Sequence, residues 1–251
     1  VSRPGSRGRA IHSHASILSP MAQLTFDEGV IKFRAHHRHE GLDPRLHGAT
    51  ACTLMAWREI LARTGLVGQE TGLYGGFGYG NVSARVGPPG AGRGRRSFLI
   101  TGTQTSGKAC VTLGDFCRVE RFDVGTNAVW SQGTVMPSSE SMTHGALYDL
   151  GPHIRFVFHA HTPVIWRRAR ALRIPTTDPQ VPYGTPEMAR ETHRLFRATA
   201  LAETQILAMG GHEDGIVVFG RTAEEAGQIL LKYLARAYEA ECGEADGLCR
   251  R

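Results

Sequence analysis

The run Val157-Phe158-His159-Ala160-His161 decides how this chain is read. It is an apolar strand candidate, and strand side chains alternate faces. His159 and His161 therefore point the same way, roughly 6–7 Å apart along the backbone, close enough to share one metal ion. The chain has twelve histidines, so a His-x-His alone is weak evidence. The pieces around it in the chain give it weight. Upstream lies Pro137-Ser138-Ser139-Glu140-Ser141, and downstream His212 stands in the glycine-flanked turn Gly210-Gly211-His212-Glu213-Asp214-Gly215. Three imidazoles with a nearby carboxylate form a catalytic-type zinc donor set that leaves one position open for substrate.

Before this run, His47 to Thr64 carries apolar residues at helical spacing and ends at Gly65. A glycine-rich stretch, Gly72 to Gly80, leads to two strands, Val82–Val86 and Ser97–Thr101, joined by the basic loop 87–96, which reads as a solvated hairpin. Strands follow at Cys117–Asp123 and Ala128–Ser131. Pro137, with the serine pair at its cap, predicts a helix through Leu150. Ile154–His161 reads as a buried strand, Pro163–Ala171 and Thr185–Ala200 as helices, Gln205–Ala208 and Ile216–Phe219 as strands, and Thr222–Ala240 as a long amphipathic helix. Helices and strands mix without a regular βα repeat, and successive strands sit close enough for hairpins. The fold class is therefore α+β, a central antiparallel β-sheet flanked by helices on both faces.

Composition narrows the function classes. With 251 residues, 41% hydrophobic and 21% charged, the chain has the make-up of an ordinary globular domain. Of the net charge of +6, three units come from Arg3, Arg7 and Arg9 near the N-terminus, so the remainder does not call for a nucleic-acid partner. No apolar run approaches the length of a membrane span, so no membrane partner is expected. Residues 1–20 read as a disordered leader or a start-site remnant ahead of Met21, and 21–251 as a single domain. The five cysteines are odd in number and contain no Cys-x-x-Cys pair, which favours reduced thiols in a cytoplasm. His36-His37-Arg38-His39 lies in a polar stretch and reads as exposed. The glycine run 72–80 lacks the Lys-Ser/Thr ending of a phosphate loop, and no Gly-x-Ser-x-Gly is present, against a nucleotide site and a serine hydrolase.

From about residue 45 to 240 the chain resembles the class II aldolase/adducin head family, fuculose-phosphate aldolase-like members in particular. The resemblance rests on an ordered series: Gly80-Asn81-Val82-Ser83, Leu99-Ile100-Thr101 leading to Thr105-Ser106, Pro137-Ser138-Ser139-Glu140, His159-Ala160-His161, His212, and the final helix. It implies a metal-dependent lyase that cleaves a phosphorylated ketose by a retro-aldol step through a zinc-stabilised enediolate, in a cytoplasmic homotetramer. It makes His159, His161 and His212 the ligands of Zn2+, with Mn2+ or Co2+ as alternatives, and Glu140 the catalytic acid/base. Asn81, Ser138, Ser139, Thr105 and Ser106 match the substrate phosphate pocket. For the serine pair, helix capping is the competing reading; for His144, four residues after Glu140, support of that carboxylate. Tyr183 and Asp178 are the candidates for the distal acid.

The chain departs from the family pattern where Glu213 and Asp214 intervene between His212 and Gly215. Those acids are expected to shape the pocket, or Asp214 to join the metal. The stretch between His161 and Tyr183 is also short. Alternatives on the same metal site are a sugar-phosphate 4-epimerase or a dehydratase; a non-enzymatic adducin-like scaffold stands against the retained histidines.

Overall fold

A computed structural model describes Val1 and residues 29–246. The expectation for residues 1–20 thus lies, Val1 apart, outside the described residues. The chain opens with β1 (Arg34–His39) and α1 (Pro44–Arg63). Asp43 caps α1 by accepting from the Arg45 N–H, and Pro44 sits in the first turn, where a missing N–H costs nothing. The helix therefore starts three residues before the periodicity predicted, because a cap and a proline are read by chemistry rather than by spacing. Next come β2 (Gly68–Gln69), β3 (Gly78–Tyr79), β4 (Asn81–Arg85), β5 (Phe98–Thr101), β6 (Phe116–Asp123) and β7 (Ala128–Gly133). The second half holds α2 (Ser141–Tyr148), β8 (Phe156–His161), α3 (Pro163–Arg167), α4 (Pro186–Ala198), α5 (Leu201–Thr204), β9 (Ile206–Ala208), β10 (Gly215–Gly220) and α6 (Ala223–Asp246).

Eight strands form one sheet in the order β1-β7-β6-β5-β4-β8-β10-β9, and β2 pairs with β3 in a small second sheet. Every pair in the large sheet is antiparallel except β1 with β7. The histidine-rich stretch 36–39 belongs to an edge strand and is largely exposed, as its polar sequence suggested. His37 binds Ser131 and the Gly133 carbonyl, both at 3.0 Å, and His36 stacks on Trp130.

Strand alternation divides the core in two. Phe158 and Ala160 of β8 face one apolar cluster with Leu54 and Leu61 of α1 and Leu230 of α6. Val157 faces the other, with Met142 and Leu147 of α2 and Met188 and Leu195 of α4. Helices thus cover both faces, and β8 is apolar on both sides because both are buried. By the same alternation His159 and His161 emerge on the face covered by α2 and α4.

Helix α2 also departs from expectation. Pro137 pairs in an isolated antiparallel bridge with Gly102, and α2 begins only at Ser141 with Glu140 at its N-cap. The proline ties two loops together instead of opening the helix. No helix among the described residues is long and apolar enough to cross a membrane.

Candidate active site

Strand register builds the site. On β8, Asn81 of β4 lies opposite His159, and Gly215 of β10 lies opposite His161. Just before β10 the chain makes a tight turn in which the His212 N–H donates to the Met209 carbonyl and the Gly215 N–H to the His212 carbonyl. Asp214 takes a left-handed φ of 61° within it. The turn folds His212 back over β8. Its Nε2 lies 3.1 Å from that of His161, whose Nε2 is 3.0 Å from that of His159.

Three ring nitrogens converging at such distances on a buried point are hard to satisfy with protons alone, since the central Nε2 carries at most one hydrogen. A tetrahedral zinc with bonds of about 2.0–2.1 Å holds its nitrogens about 3.3 Å apart, so the trio has the dimensions of a metal cradle. These atoms lie within 4.8 Å of one another and could hold a metal ion. Burial keeps the rings neutral, as ligands must be. It pushes His159 down to about 3 and His161 and His212 well below the usual imidazole range, with neighbouring imidazoles adding to the effect at the latter two. Tyr74 and Tyr79 pack their rings against His161 at 4.7 and 5.7 Å.

Glu140 reaches this centre from the N-cap of α2. It is 2% exposed, its Oε1 lies 4.0 Å from His212 Nε2, and neither carboxylate oxygen has a hydrogen-bond partner among the described residues. Burial pushes its pKa up to about 7, opposed in part by Thr143 and the charge of Lys32. A carboxyl group poised near neutrality can both give and take a proton.

A second, small polar cavity of about 20 Å³ adjoins these strands, lined by Gly29, Gly78, Gly80, Asn81, Gly102, Thr103, Gln104, Ser106, Ser138 and Ser139. It gathers Asn81, Ser106, Ser138 and Ser139 as expected. The buried Asn81 Oδ1 has no partner among the described residues, and the Ser138 hydroxyl accepts the Glu140 N–H at 3.3 Å in the turn ahead of α2, whose N-cap, Glu140, makes no side-chain cap bond, so neither serine caps the helix. Thr105 does not line the cavity; its buried hydroxyl donates to the Gly102 carbonyl at 2.7 Å and braces the loop. Thr103 and Gln104 take its place, missed in the sequence because the loop's course depends on Gln104 adopting a positive φ of 59°.

Other expectations need revision. The Asp214 carboxylate accepts the Tyr74 hydroxyl at 2.8 Å and stands outside the metal-competent group, so it locks the turn. His144 does not reach toward Glu140 through Nδ1; that atom is 2.7 Å from Ser83 Oγ, which is in turn 2.6 Å from the Tyr148 hydroxyl, and this buried group ties α2 to β4. Tyr183 packs its ring 4.4 Å from that of His212, and its hydroxyl accepts the Val30 N–H at 3.2 Å. Asp178 is an exposed turn residue whose carboxylate accepts the Gln180 N–H at 2.8 Å.

Comparison with known proteins agrees with this fold. No curated protein sequence matches the chain. Among solved structures, an L-fuculose 1-phosphate aldolase aligns at 18% identity and TM-score 0.56 over 84% of this chain and 90% of its own. The L-fuculose-1-phosphate aldolase from Thermus thermophilus gives 19% identity and 0.56 over 83% and 99%. A sugar-phosphate aldolase from Thermotoga maritima gives 16% identity and 0.57 over 81% and 99%. At these identities the likeness speaks for the fold. The family model described as the Class II Aldolase and Adducin N-terminal domain matches residues 59–240, from inside α1 to α6 and through Asn81, Glu140 and the three histidines, and the chain belongs to that family.

Proposed function

We propose that this protein is a metal-dependent lyase that cleaves a phosphorylated ketose by a retro-aldol reaction. The observation that carries the reading is the convergence of three neutral imidazoles beside an unpartnered, buried carboxyl group. His159, His161 and His212 would hold a divalent cation, Zn2+ in this reading because an all-nitrogen set suits it. Such a cation, when bound, supplies Lewis-acid polarisation of a carbonyl or hydroxyl oxygen.

The chain's own residues supply the rest. Glu140 takes a proton from the substrate and returns it at the carbon left by cleavage, through its carboxylate oxygens, which hydrogen-bond to no other group among the described residues. Asn81, Thr103, Gln104, Ser106, Ser138 and Ser139 bind the phosphate through neutral donors, with Thr105 bracing their loop. Burial of Glu140, Asn81, Ser138 and Ser139 excludes water from this part of the site and strengthens their contacts. Tyr183, against the ring of His212, is placed for the distal end of the substrate, whereas Asp178 spends its carboxylate on its own turn. The fuculose-phosphate aldolase neighbours support the phosphorylated substrate. A homotetramer in the cytoplasm completes the reading; the thiols of Cys52, Cys110, Cys117 and Cys242 are unpaired, as a reducing compartment requires.

The deciding experiment loads the protein with Zn2+ and screens phosphorylated ketoses for release of a triose phosphate. Turnover that disappears on chelation and returns with metal supports the proposal. Turnover that yields only an epimer, or that survives chelation, overturns it.

A further inference from the structure

Two segments distant in sequence meet beside the histidine trio. The first is the glycine-rich stretch 70–77, which stands as a flap: β2 and β3 pair at its base, Gly68 with Tyr79 and Gln69 with Gly78. Hydrogen bonds brace it, from the Leu73 N–H to the Glu70 carbonyl, from the Gly76 N–H to the Leu73 carbonyl, and from Gln69 Nε2 to the Gly76 carbonyl at 2.8 Å. At its tip Tyr74, Gly75 and Gly76 take left-handed φ values of 48°, 67° and 79°. Leu73 and Phe77 are exposed, whereas Tyr74 is half-buried and turns inward. Its ring packs 4.7 Å from that of His161, at an interplanar angle of 73°, and 5.1 Å from that of Tyr79.

The second is the turn that carries His212. Asp214 in that turn is buried and holds a left-handed φ of 61°. Its main-chain carbonyl accepts the Thr162 N–H at 2.9 Å, which ties the turn to the residue after His161. Its Oδ2 accepts the Tyr74 hydroxyl at 2.8 Å, and its Oδ1 has no hydrogen-bond partner among the described residues. A hydrogen bond to a carboxylate is stronger than one between neutral groups. Left-handed φ in residues other than glycine persists where the surroundings hold it, and here two such residues, Tyr74 and Asp214, hold each other across 140 positions of sequence. One tyrosine thus bears on two of the three histidines: its ring on His161 of β8, its hydroxyl on the turn of His212. Of the trio, His212 alone lies outside a strand, so its place depends most on a contact of this kind.

We propose that Tyr74 is a positioning residue for the metal centre: its ring and hydroxyl clamp His161 and the His212 turn into one geometry, and this clamp sets how fast the centre releases its metal. A bound ion leaves by shedding its ligands in turn, and the Tyr74–Asp214 bond opposes the swing of the one ligand that a turn carries. This rests on the reading of the trio as a metal site and holds for whichever sugar phosphate that site takes. Proton transfer stays with Glu140.

The test uses Co2+ as the probe, because it suits the same nitrogen donors and its visible absorption bands report ligand geometry. Tyr74→Phe keeps the ring and removes the hydroxyl. Transfer of Co2+ from this variant to excess EDTA should be about tenfold or more faster than from the wild type, and its visible bands should shift or change in intensity. Asp214→Asn tolerates the positive φ and still accepts the hydroxyl, now without the charge, so its release rate should fall between the two. Tyr79→Phe is the control: its ring also packs on His161, at 5.7 Å, but its hydroxyl donates to Glu70 at 3.4 Å. Its release rate and spectrum should match the wild type. A Tyr74→Phe variant with the wild-type rate and spectrum would overturn the proposal. Equal acceleration in Tyr79→Phe would overturn it too, by assigning the effect to the flap's packing instead of the clamp. A wild type that takes up no Co2+ would overturn the metal reading itself and the clamp with it, a result distinct from the other two.

Discussion

Asn81 stands directly opposite His159 across the β4–β8 pair, so one strand register sets both the amide of the polar cavity and an imidazole of the trio. Gly80 makes that register reachable. Its φ is +75°, and a Cβ there would lie 2.8 Å from Val67 Cγ2 and 3.0 Å from the His159 carbonyl oxygen. Gly80→Ala is expected to destabilise the fold by about 1–3 kcal/mol and to lower metal retention, because strain at the backbone is passed to both residues. Urea unfolding and metal analysis on the same preparation check this.

His159→Ala should abolish stoichiometric metal, since it removes one of three ligands from a site with no described fourth. Glu140→Gln should keep the metal and lose turnover by about 10²–10⁴-fold, the measured span for a lost general acid–base. Undiminished turnover in the glutamine variant would remove Glu140 from the chemistry.

The pH dependence of stability has a definite sign. Burial raises the Glu140 pKa from 4.5 to about 7 in the folded protein. Between these values the folded state holds a proton that the unfolded state has released, so this group's contribution to stability falls as pH rises through the window and is level above it. At most about 3 kcal/mol is involved. In the metal-free protein, the stability of Glu140→Gln relative to wild type should therefore grow from pH 4.5 to 7 and then level off, as read by thermal or urea unfolding at each pH.

Ser83→Ala removes the hydroxyl that joins His144 and Tyr148 across 2.7 and 2.6 Å. All three residues are fully buried, so two polar groups would be left without this partner, at a cost of about 1–3 kcal/mol. The urea midpoint should drop while the slope of the transition stays the same.

Ser139→Ala should raise the Michaelis constant for a phosphorylated substrate by about tenfold or less, the worth of one hydrogen bond, and leave that for its unphosphorylated analogue unchanged. Equal effects on both would show that the serine only braces the loop before α2.

Much of this architecture was legible locally. Each strand of the large sheet except β1 is read from its own stretch of sequence, and α4 announces itself by Thr185, Pro186 and Glu187 in the order of a cap, a first-turn proline and a first-turn acid. β1 was not legible, because Arg34-Ala35-His36-His37-Arg38-His39 lies at the sheet edge and is largely exposed, so it needs no apolar pattern. The start of α2 was misplaced for a related reason: Pro137 suits a helix start, but its bridge to Gly102, far off in sequence, outweighs that preference.

From the sequence alone came the chemical inventory: two histidines on one strand face, a third in a glycine turn, and a carboxylate next to a serine pair. Periodicity and covalent geometry act over a few residues, and these features need nothing more. Only the tertiary structure decided that His212 returns over β8, that Asp214 binds Tyr74 instead of joining the trio, that Ser83 claims His144, and that Lys32 lies over Tyr183. Each of those contacts joins residues about 50 or more positions apart, and such pairings are set by which faces of the sheet and helices bury together.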